Sequence, residues 1–276
     1  MAGSLEGRVA FITGVARGQG RAHAVRLARE GVDIIGVDIC ENYPHMNYPN
    51  ASAEDLEETV RLVEKEGRRI VARKADVRDF AGLKAAFDDG YAQFGRLDII
   101  IVNAGIIRLG DEEDFLAEWQ EVIDTNLTGA FHTVRAALPA LQEGGRGGSI
   151  VITSSTAGLK GTASPFASAQ AYSAAKRGLV GYMQTLALDL APQMIRVNTI
   201  HPTGVISGMT QNDAMNALMA QAAASEDNAI SAMQNALPIP ILQAEDIANA
   251  VAWLVSDEAK FITGIQLPLD AGFTVR

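Results

Sequence analysis

The sequence predicts a doubly wound parallel α/β sheet of about seven strands, with helices on both faces and a single domain. Short apolar runs alternate with longer helical patterns along the 276 residues. One run, residues 97–102, is apolar at nearly every position, as expected of a strand covered on both faces. No repeat, low-complexity tract or Pro/Ser-rich linker divides the chain, so one domain fits best.

The first half of the chain supplies four predicted strands, at residues 9–13, 33–37, 70–72 and 97–102. Helices are predicted between them, over residues 19–30, after an N-cap at Ser52, and over residues 80–94. Gly31 stops the first of these helices. This β-α-β alternation implies right-handed crossovers between parallel strands.

The second half continues the alternation, with strands predicted at residues 149–153, 196–200 and 265–269. Helical patterns cover residues 115–141, 172–190 and 245–255. The last strand contains Pro268 and is therefore expected at the sheet edge.

Two segments exceed this minimal pattern. Residues 39–51 form a connection of about a dozen residues, where most connections have about 2 to 6. Residues 205–241 insert Met- and Ala-rich helical sequence before the last helix, and we expect them to form a substrate lid.

Composition excludes several classes of protein. Hydrophobic residues make up 48% and charged residues 20%, too apolar for intrinsic disorder. The net charge of -10 disfavours binding to nucleic acids and to membrane surfaces. Cys40 is the sole cysteine, which excludes a disulfide scaffold. No apolar stretch approaches a membrane span or a signal core, so a cytoplasmic protein is expected.

A glycine-rich turn joins the first strand to the first helix. Gly14, Gly18 and Gly20 allow a tight turn there, with Arg17 and Gln19 between them. The free N–H groups and the dipole of a helix N-terminus suit a pyrophosphate, as in the Rossmann type of sheet. A purely structural turn is the alternative.

Asp38 ends the second strand, 18 residues after Gly20. A carboxylate at that point accepts the hydroxyls of an adenosine ribose and repels a 2′-phosphate, which predicts NAD rather than NADP. A solvated loop aspartate is the alternative interpretation.

Two further strand ends carry polar residues that belong to the same predicted crevice, namely Asp76 with Val77, and Asn103 with Ala104 and Gly105. Taken alone, each of these sequences is equally typical of an ordinary turn.

Tyr172 and Lys176 stand at i and i+4 of a predicted helix, so the phenol and the ammonium share one face. A nearby cation is expected to lower the pKa of the phenol, and two to three units correspond to about 3 to 4 kcal/mol. A surface pair is the alternative for this common spacing. Ser154 and Ser155 end the fifth strand at the same edge of the sheet.

As a set, Gly14-x3-Gly18-x-Gly20, Asp76-Val77, Asn103-Ala104-Gly105, Asn126, Ser155 and Tyr172-x3-Lys176 resemble the short-chain dehydrogenase/reductase family. The resemblance covers essentially the whole chain. It implies a catalytic tetrad of Asn126, Ser155, Tyr172 and Lys176. Tyr172 is then the general acid/base, Ser155 (rather than Ser154) binds the substrate oxygen, Lys176 also holds the nicotinamide ribose, and Asn126 anchors a water. Val205 and Ser207 match positions that contact the carboxamide, and a homotetramer is implied.

The chain departs from the common family pattern at several positions. Gln19 stands where Ile or Leu is usual, His201 replaces an Asn, and 17 residues separate Ser155 from Tyr172. With the loop at 39–51, these features resemble the mycofactocin-associated, carveol-dehydrogenase-like subgroup of actinobacteria. In that subgroup the loop covers bound NAD, and electrons leave through an external, mycofactocin-like redox carrier. A mobile surface loop is the alternative.

The predicted activity is an NAD-dependent alcohol dehydrogenase or ketone reductase. Apolar side chains in the lid favour an apolar, cyclic or terpenoid, secondary alcohol: Met209, Met215, Leu218, Met219 and Met233. The alternatives are a non-catalytic NAD-binding regulatory protein and an epimerase or dehydratase on the same fold. The four histidines form no spaced cluster, so no metal site is predicted.

Overall fold

Seven parallel strands form one sheet in the order β3-β2-β1-β4-β5-β6-β7 within the computed structural model, which describes residues 5–108, 110, 112–161, 164–224 and 234–276. The strands are β1 Val9–Thr13, β2 Asp33–Asp38, β3 Ile70–Lys74, β4 Ile99–Val102, β5 Gly148–Thr153, β6 Ile195–Pro202 and β7 Gln266–Leu269. The predicted fold class is confirmed.

The direction of the strand order reverses at β1, which pairs with β2 on one side and with β4 on the other. Because helices follow both strands on opposite faces, a crevice opens at their carboxyl ends. This switch point lies beside the glycine turn and fixes where a dinucleotide can bind.

Helices cover both faces of the sheet. They are α1 Gly18–Arg29, α2 Ala53–Lys65, α3 Phe80–Phe94, α4 Phe115–Ile123, α5 Gly129–Glu143, α6 Ala167–Leu190, α7 Asp213–Ala224 and α8 Ala244–Val255. Side chains of β1 alternate between two cores. Phe11 packs in the core under α3, α5 and α6, and Ile12 packs in the core under α1 and α8.

The predicted helical region at residues 115–141 contains a π-helical turn. A π-helical segment, Asp124–Thr128, separates α4 from α5. A π-helical turn holds more residues than an α-helical turn, so it is wider and its side chains point in different directions. Asn126 lies in this segment and is buried. The predicted helical region is therefore present over residues 115–141, and the feature that the sequence did not show is the π-helical turn that carries Asn126.

Other boundaries differ less. Helix α6 begins at Ala167, five residues before the predicted start at Tyr172. The N-cap at Ser52 is confirmed, since its hydroxyl accepts from the N–H of Asp55. The predicted lid at 205–241 is described only at 205–224 and 234–241, and the side chains of Leu218, Met219 and Met233 lie outside the described residues. Among the helices described here, none is long and apolar enough to cross a membrane.

Candidate active site

The glycine turn approaches the sheet more closely than any side chain would allow. A Cβ at Gly20 would stand 1.9 Å from the carbonyl oxygen of Gly14, which itself has φ +68°. The Nδ2 group of Asn103 donates to the carbonyl oxygens of Thr13 at 3.1 Å and Gly14 at 3.3 Å. No side chain caps the N-terminus of α1, so its first N–H groups are available to an anion.

Asp38 fastens this turn to the end of β2. Its Oδ2 atom accepts from the N–H of Ala16 at 2.9 Å. Burial raises the pKa of the Asp38 carboxyl, and the bond from Ala16 opposes that rise. The side chain is buried and lines the cleft, so the alternative of a solvated loop aspartate does not hold. The structural task of holding the turn was not evident from the sequence.

A cleft of about 850 Å³, open in part to solvent, follows the carboxyl edge of the sheet. Most of the predicted cofactor-binding residues line it: Gly14, Arg17, Gly18, Gln19, Asp38, Val77, Asn103, Ala104, Gly105 and Ser207. Gly20 is buried behind Gly14. Val205 is also buried and forms a bridge with Leu242.

Asp76 is placed differently from its neighbours in the predicted set. Its carboxylate accepts from the guanidinium of Arg78 at 2.8 Å and from the N–H of the same residue at 2.9 Å. Arg78 in turn covers the ring of Tyr43, with 4.2 Å between the guanidinium carbon and the ring centroid. Asp76 therefore holds Arg78 in place against Tyr43 and does not itself line the cleft.

Gln19 brings an unusual group to the cleft. Its Oε1 atom is buried and has no hydrogen-bond partner among the described residues. An amide oxygen only accepts, so a bound molecule must offer it an N–H or O–H group. Ribose hydroxyls and a carboxamide both meet that requirement, whereas a pyrophosphate does not.

Ser155, Tyr172 and Lys176 lie next to the cleft wall. A Cβ at Gly105 in that wall would stand 3.4 Å from the Lys176 Nζ atom, and Tyr172 packs against the small core that contains Ile106. The Ser155 Oγ atom accepts from the N–H of Ala157 at 3.2 Å, and its hydroxyl interacts with the Tyr172 phenol. Ser154 is turned away, since its hydroxyl donates to the carbonyl oxygen of Lys176 at 2.8 Å. Of the two serines, Ser155 is the one that faces the phenol.

Lys176 is buried beneath the tyrosine ring. Its Nζ atom lies 5.4 Å from the Tyr172 ring centroid and donates to the carbonyl oxygen of Thr153 at 2.8 Å. Burial lowers the pKa of Lys176 from 10.5 to about 8.

The expected lowering of the Tyr172 pKa is wrong for this structure. Burial raises the pKa of the phenol, and the hydrogen bond with Ser155 offsets part of that rise. The sequence placed Lys176 on the correct face of α6, but its ammonium is directed to Thr153 and lies beside the ring. Desolvation of the phenol therefore outweighs the cation.

Asn126 holds the chain as it leaves β4. Its Nδ2 group donates to the carbonyl oxygens of Ile106 at 2.8 Å and Val122 at 3.0 Å, and its Oδ1 accepts from the Ile106 N–H at 3.0 Å. Gly105 is pressed against this amide, since a Cβ there would stand 2.5 Å from Oδ1. The side chain thereby fixes the segment that lines the cleft beside Lys176.

Residues 39–51, here called the strap, fold back over the cleft. Tyr43 and Tyr48 are only 5% and 6% exposed. Tyr43 packs in a small core with Ile106 and with Ala171 of α6, and Met46 and Tyr172 lie at its border. The N–H of Ile107 reaches the Tyr48 hydroxyl at 3.5 Å. These contacts favour a covering loop over the mobile surface loop left open by the sequence.

Polar bonds hold the strap at both ends. The Asn50 side chain donates to the carbonyl oxygen of Glu41 at 2.8 Å, and Glu41 pairs with Lys74 of β3. Arg17 of the glycine turn donates to the carbonyl oxygen of Pro49 at 2.7 Å. The Arg17 guanidinium also touches Gly208, where a Cβ would stand 2.6 Å from it. One side chain thus spans the strap, the turn and the segment after β6.

No group of three or more His, Cys, Asp or Glu side chains within the described part of the chain could hold a metal ion.

Comparison with known proteins extends these observations. A family model described as enoyl-(acyl carrier protein) reductase matches residues 14–274. The (-)-trans-carveol dehydrogenase of Rhodococcus erythropolis is 45% identical over 278 residues, which cover 99% of each chain.

Two solved structures resemble this chain over its full length. Carveol dehydrogenase from Mycobacterium avium in complex with NAD has a TM-score of 0.92 at 48% identity and covers 100% of both chains. A short chain dehydrogenase from Mycobacterium paratuberculosis bound to NAD has a TM-score of 0.93 at 46% identity, covering 99% of this chain and 100% of the other.

Proposed function

Because this chain belongs to the short-chain dehydrogenase/reductase family, we propose that it is an NAD-dependent oxidoreductase that interconverts an apolar, cyclic or terpenoid, secondary alcohol and its ketone. One observation carries the proposal. Asp38 and the uncapped N-terminus of α1 line one cleft, and the wall of that cleft at Gly105 and Ile106 adjoins the cluster of Ser155, Tyr172 and Lys176.

The residues of the cleft fit NAD. Asp38 stands where the adenosine ribose hydroxyls would be accepted, and its charge disfavours a 2′-phosphate. The missing Cβ of Gly20 leaves room for the tight turn beneath a pyrophosphate. Gln19 offers a buried acceptor that a cofactor amide or hydroxyl would satisfy. Ser207 lines the same cleft, and with Val205 it would hold the carboxamide.

Bound NAD supplies a hydride acceptor or donor at C4 of its nicotinamide. In alcohol oxidation, Tyr172 removes the hydroxyl proton of the substrate, and in ketone reduction it returns that proton. The Ser155 hydroxyl, which interacts with the Tyr172 phenol, would donate to the substrate oxygen once a substrate is bound. Lys176 would hold the nicotinamide ribose, and Asn126 would anchor a water of the proton relay.

The substrate class follows from the mouth of the site. Ile106, Met46 and Ala171 pack beside Tyr172, and Met209 lines the cleft. Such surroundings suit an apolar ring better than a charged substrate. A relative that spans the same length of chain is a (-)-trans-carveol dehydrogenase, and carveol is a cyclic terpenoid alcohol.

The strap supports a cofactor that stays bound between turnovers. Its buried tyrosines and the Arg17 bond to Pro49 close the cleft beside the adenosine site. An enzyme with retained NAD needs an external redox carrier, and we assign that task to a mycofactocin-like molecule.

The assembly is proposed as a cytoplasmic homotetramer. Leu116 on α4 is 68% exposed and Leu188 on α6 is 81% exposed. Exposed apolar residues on both helices suit burial between copies of the chain.

The decisive experiment begins with protein purified without added cofactor. Mass spectrometry of the denatured protein should release NAD. A panel of alcohols that includes (-)-trans-carveol should then reduce an artificial electron acceptor, and Tyr172→Phe should not. Bound NAD without any turnover would favour the regulatory protein, and conversion without net reduction of the acceptor would favour the epimerase or dehydratase.

A further inference from the structure

His201 lies completely buried near the end of β6, directly behind the catalytic strand end. Its Nδ1 atom is 2.9 Å from the carbonyl oxygen of Ser155. Its Nε2 atom is 2.9 Å from the hydroxyl of Thr199, two residues earlier on the same strand. Both ring nitrogens are therefore occupied by fixed partners.

These partners define the tautomer of the ring. A carbonyl oxygen can only accept, so Nδ1 must carry the proton that bonds to Ser155. Burial, together with the charges of Lys176 and Arg177, lowers the pKa of His201, which keeps the ring neutral. Nε2 is then an acceptor, and the Thr199 hydroxyl donates to it. The Thr199 hydroxyl, which also lies 3.4 Å from the carbonyl oxygen of Ile265, therefore favours the tautomer in which Nδ1 donates to Ser155.

The hydrogen bond between His201 and Ser155 is one of several that hold the end of β5. Lys176 holds the Thr153 carbonyl, and the Ser154 hydroxyl bonds to the Lys176 carbonyl. The Ser154 N–H donates to the carbonyl oxygen of Ile200 on β6 at 2.9 Å. Ser155 lies beyond the last ladder bond of β5, and its carbonyl oxygen accepts from the His201 ring and from the N–H of Gly158 at 2.8 Å.

We propose that His201 is a positioning residue that sets the Ser155 hydroxyl against the Tyr172 phenol by holding the Ser155 carbonyl. The proposal rests on the proposed function for its catalytic consequence but not for its geometry. Ser155 has extended backbone and its hydroxyl caps the short helix Thr156–Gly158, so a shift of its backbone would move the hydroxyl relative to Tyr172. A displacement of about 1 Å in a catalytic group can cost about 100-fold in rate.

Three variants distinguish the effect of the Nδ1–H donor of His201 from the effect of the volume of its ring. His201→Asn keeps an amide N–H at the position of Nδ1, His201→Leu keeps apolar volume without a donor, and Thr199→Val removes the group that favours this tautomer. With (-)-trans-carveol and a saturating artificial electron acceptor, kcat should fall about 10- to 100-fold in His201→Leu and recover in His201→Asn. Thr199→Val should lie between them. The Kd for NADH should stay within about twofold in all three.

Two readouts distinguish positioning from general packing. Since the Ser155 hydrogen bond lowers the Tyr172 pKa, both Ser155→Ala and His201→Leu should raise that pKa, measured by NMR titration of labelled tyrosine with Tyr172→Phe as the assignment reference. In a Ser155→Ala background, His201→Leu should cost no further kcat.

The outcomes are separable. If Ser155→Ala and Tyr172→Phe leave carveol oxidation intact, the proposed function fails, while the tyrosine titration still decides the role of His201. An unchanged Tyr172 pKa in His201→Leu, or an equal loss of kcat with and without Ser155, would overturn the inference.

Discussion

The guanidinium of Arg17 donates to the carbonyl oxygen of Pro49 at 2.7 Å, which joins the glycine turn directly to the strap. The same guanidinium lies against Gly208, on the opposite side of the cleft. Arg17 of the glycine turn therefore contacts both the strap and the segment after β6.

Replacing residues 40–50 with a four-residue Gly/Ser connection should accelerate NADH release. Burial of about 200 Å² of apolar surface between the strap and the cofactor would be worth up to about 5 kcal/mol before ordering costs. If half remains as a barrier, release accelerates about 50- to 100-fold in stopped-flow fluorescence. Arg17→Met should give a smaller increase, since the buried tyrosines remain. Equal release rates in the wild type and the shortened form would show that the strap is not a lid.

Tyr172→Phe should reduce kcat by about 10² to 10⁴, because it removes the proton-transferring hydroxyl and keeps the ring. The Kd for NADH should change little. Tyr182 offers a matched control on the same helix, since its hydroxyl has no partner among the described residues. Tyr182→Phe should leave kcat unchanged. Activity of Tyr172→Phe above about a tenth of wild type would remove this tyrosine from the mechanism.

The buried Lys176 should leave a signature in the pH dependence of stability. Its pKa is about 8 in the folded protein and 10.5 as the ordinary value. Between these pH values the unfolded chain binds the extra proton, so stability rises with pH. For cofactor-free protein, the free energy of unfolding relative to Lys176→Met should increase by about 3 kcal/mol from pH 7 to pH 10.5. Denaturant titrations measure this difference, and a flat difference would contradict it.

Two variants of Asp38 should distinguish the effect of its charge on cofactor preference from the effect of its hydrogen bond on the stability of the glycine turn. Asp38→Asn keeps an acceptor for the Ala16 N–H but loses the charge, so the preference for NAD over NADP should narrow by about 10- to 100-fold. Asp38→Ala should lose the same preference and also lower Tm. Calorimetry on cofactor-free protein measures both affinities. An unchanged ratio in Asp38→Asn would mean that another group reads the ribose.

Leu188→Glu or Leu116→Glu should dissociate the proposed tetramer, because either change would bury a carboxylate between copies. Light scattering on wild type at micromolar concentration should give about four times the chain mass of 29.3 kDa. Met194→Glu is the control, since Met194 is 61% exposed but lies outside helices α4 and α6. A wild-type mass near that of one chain would end this proposal.

Much of the fold was predictable because each element carries a local signal. Apolar runs set the strands, and the spacing of Gly14, Gly18 and Gly20 set the turn. The sequence also placed Tyr172 and Lys176 on one face of a helix, as the structure shows.

The features that the sequence did not predict depend on contacts that only the folded chain makes. The π-helical turn at Asn126 is stabilised by bonds to Ile106, 20 residues earlier. The raised Tyr172 pKa is a consequence of burial by the surrounding fold, which periodicity does not report. Asp76 looked like a ligand of the crevice, but Arg78, two residues later, takes its carboxylate. The Asp-x-Arg spacing was the available signal for that pair.

The strap also has a consequence for the rate law. If NAD stays bound behind Tyr43 and Tyr48, as proposed above, the alcohol and the external oxidant would react at the site in turn, because neither would wait for a nicotinamide to arrive from solution. Steady-state data would then follow a double-displacement pattern, with parallel lines in reciprocal plots of the two substrates. NAD would act as a resident group whose residence time exceeds many catalytic cycles, and added NAD would not appear in the rate equation.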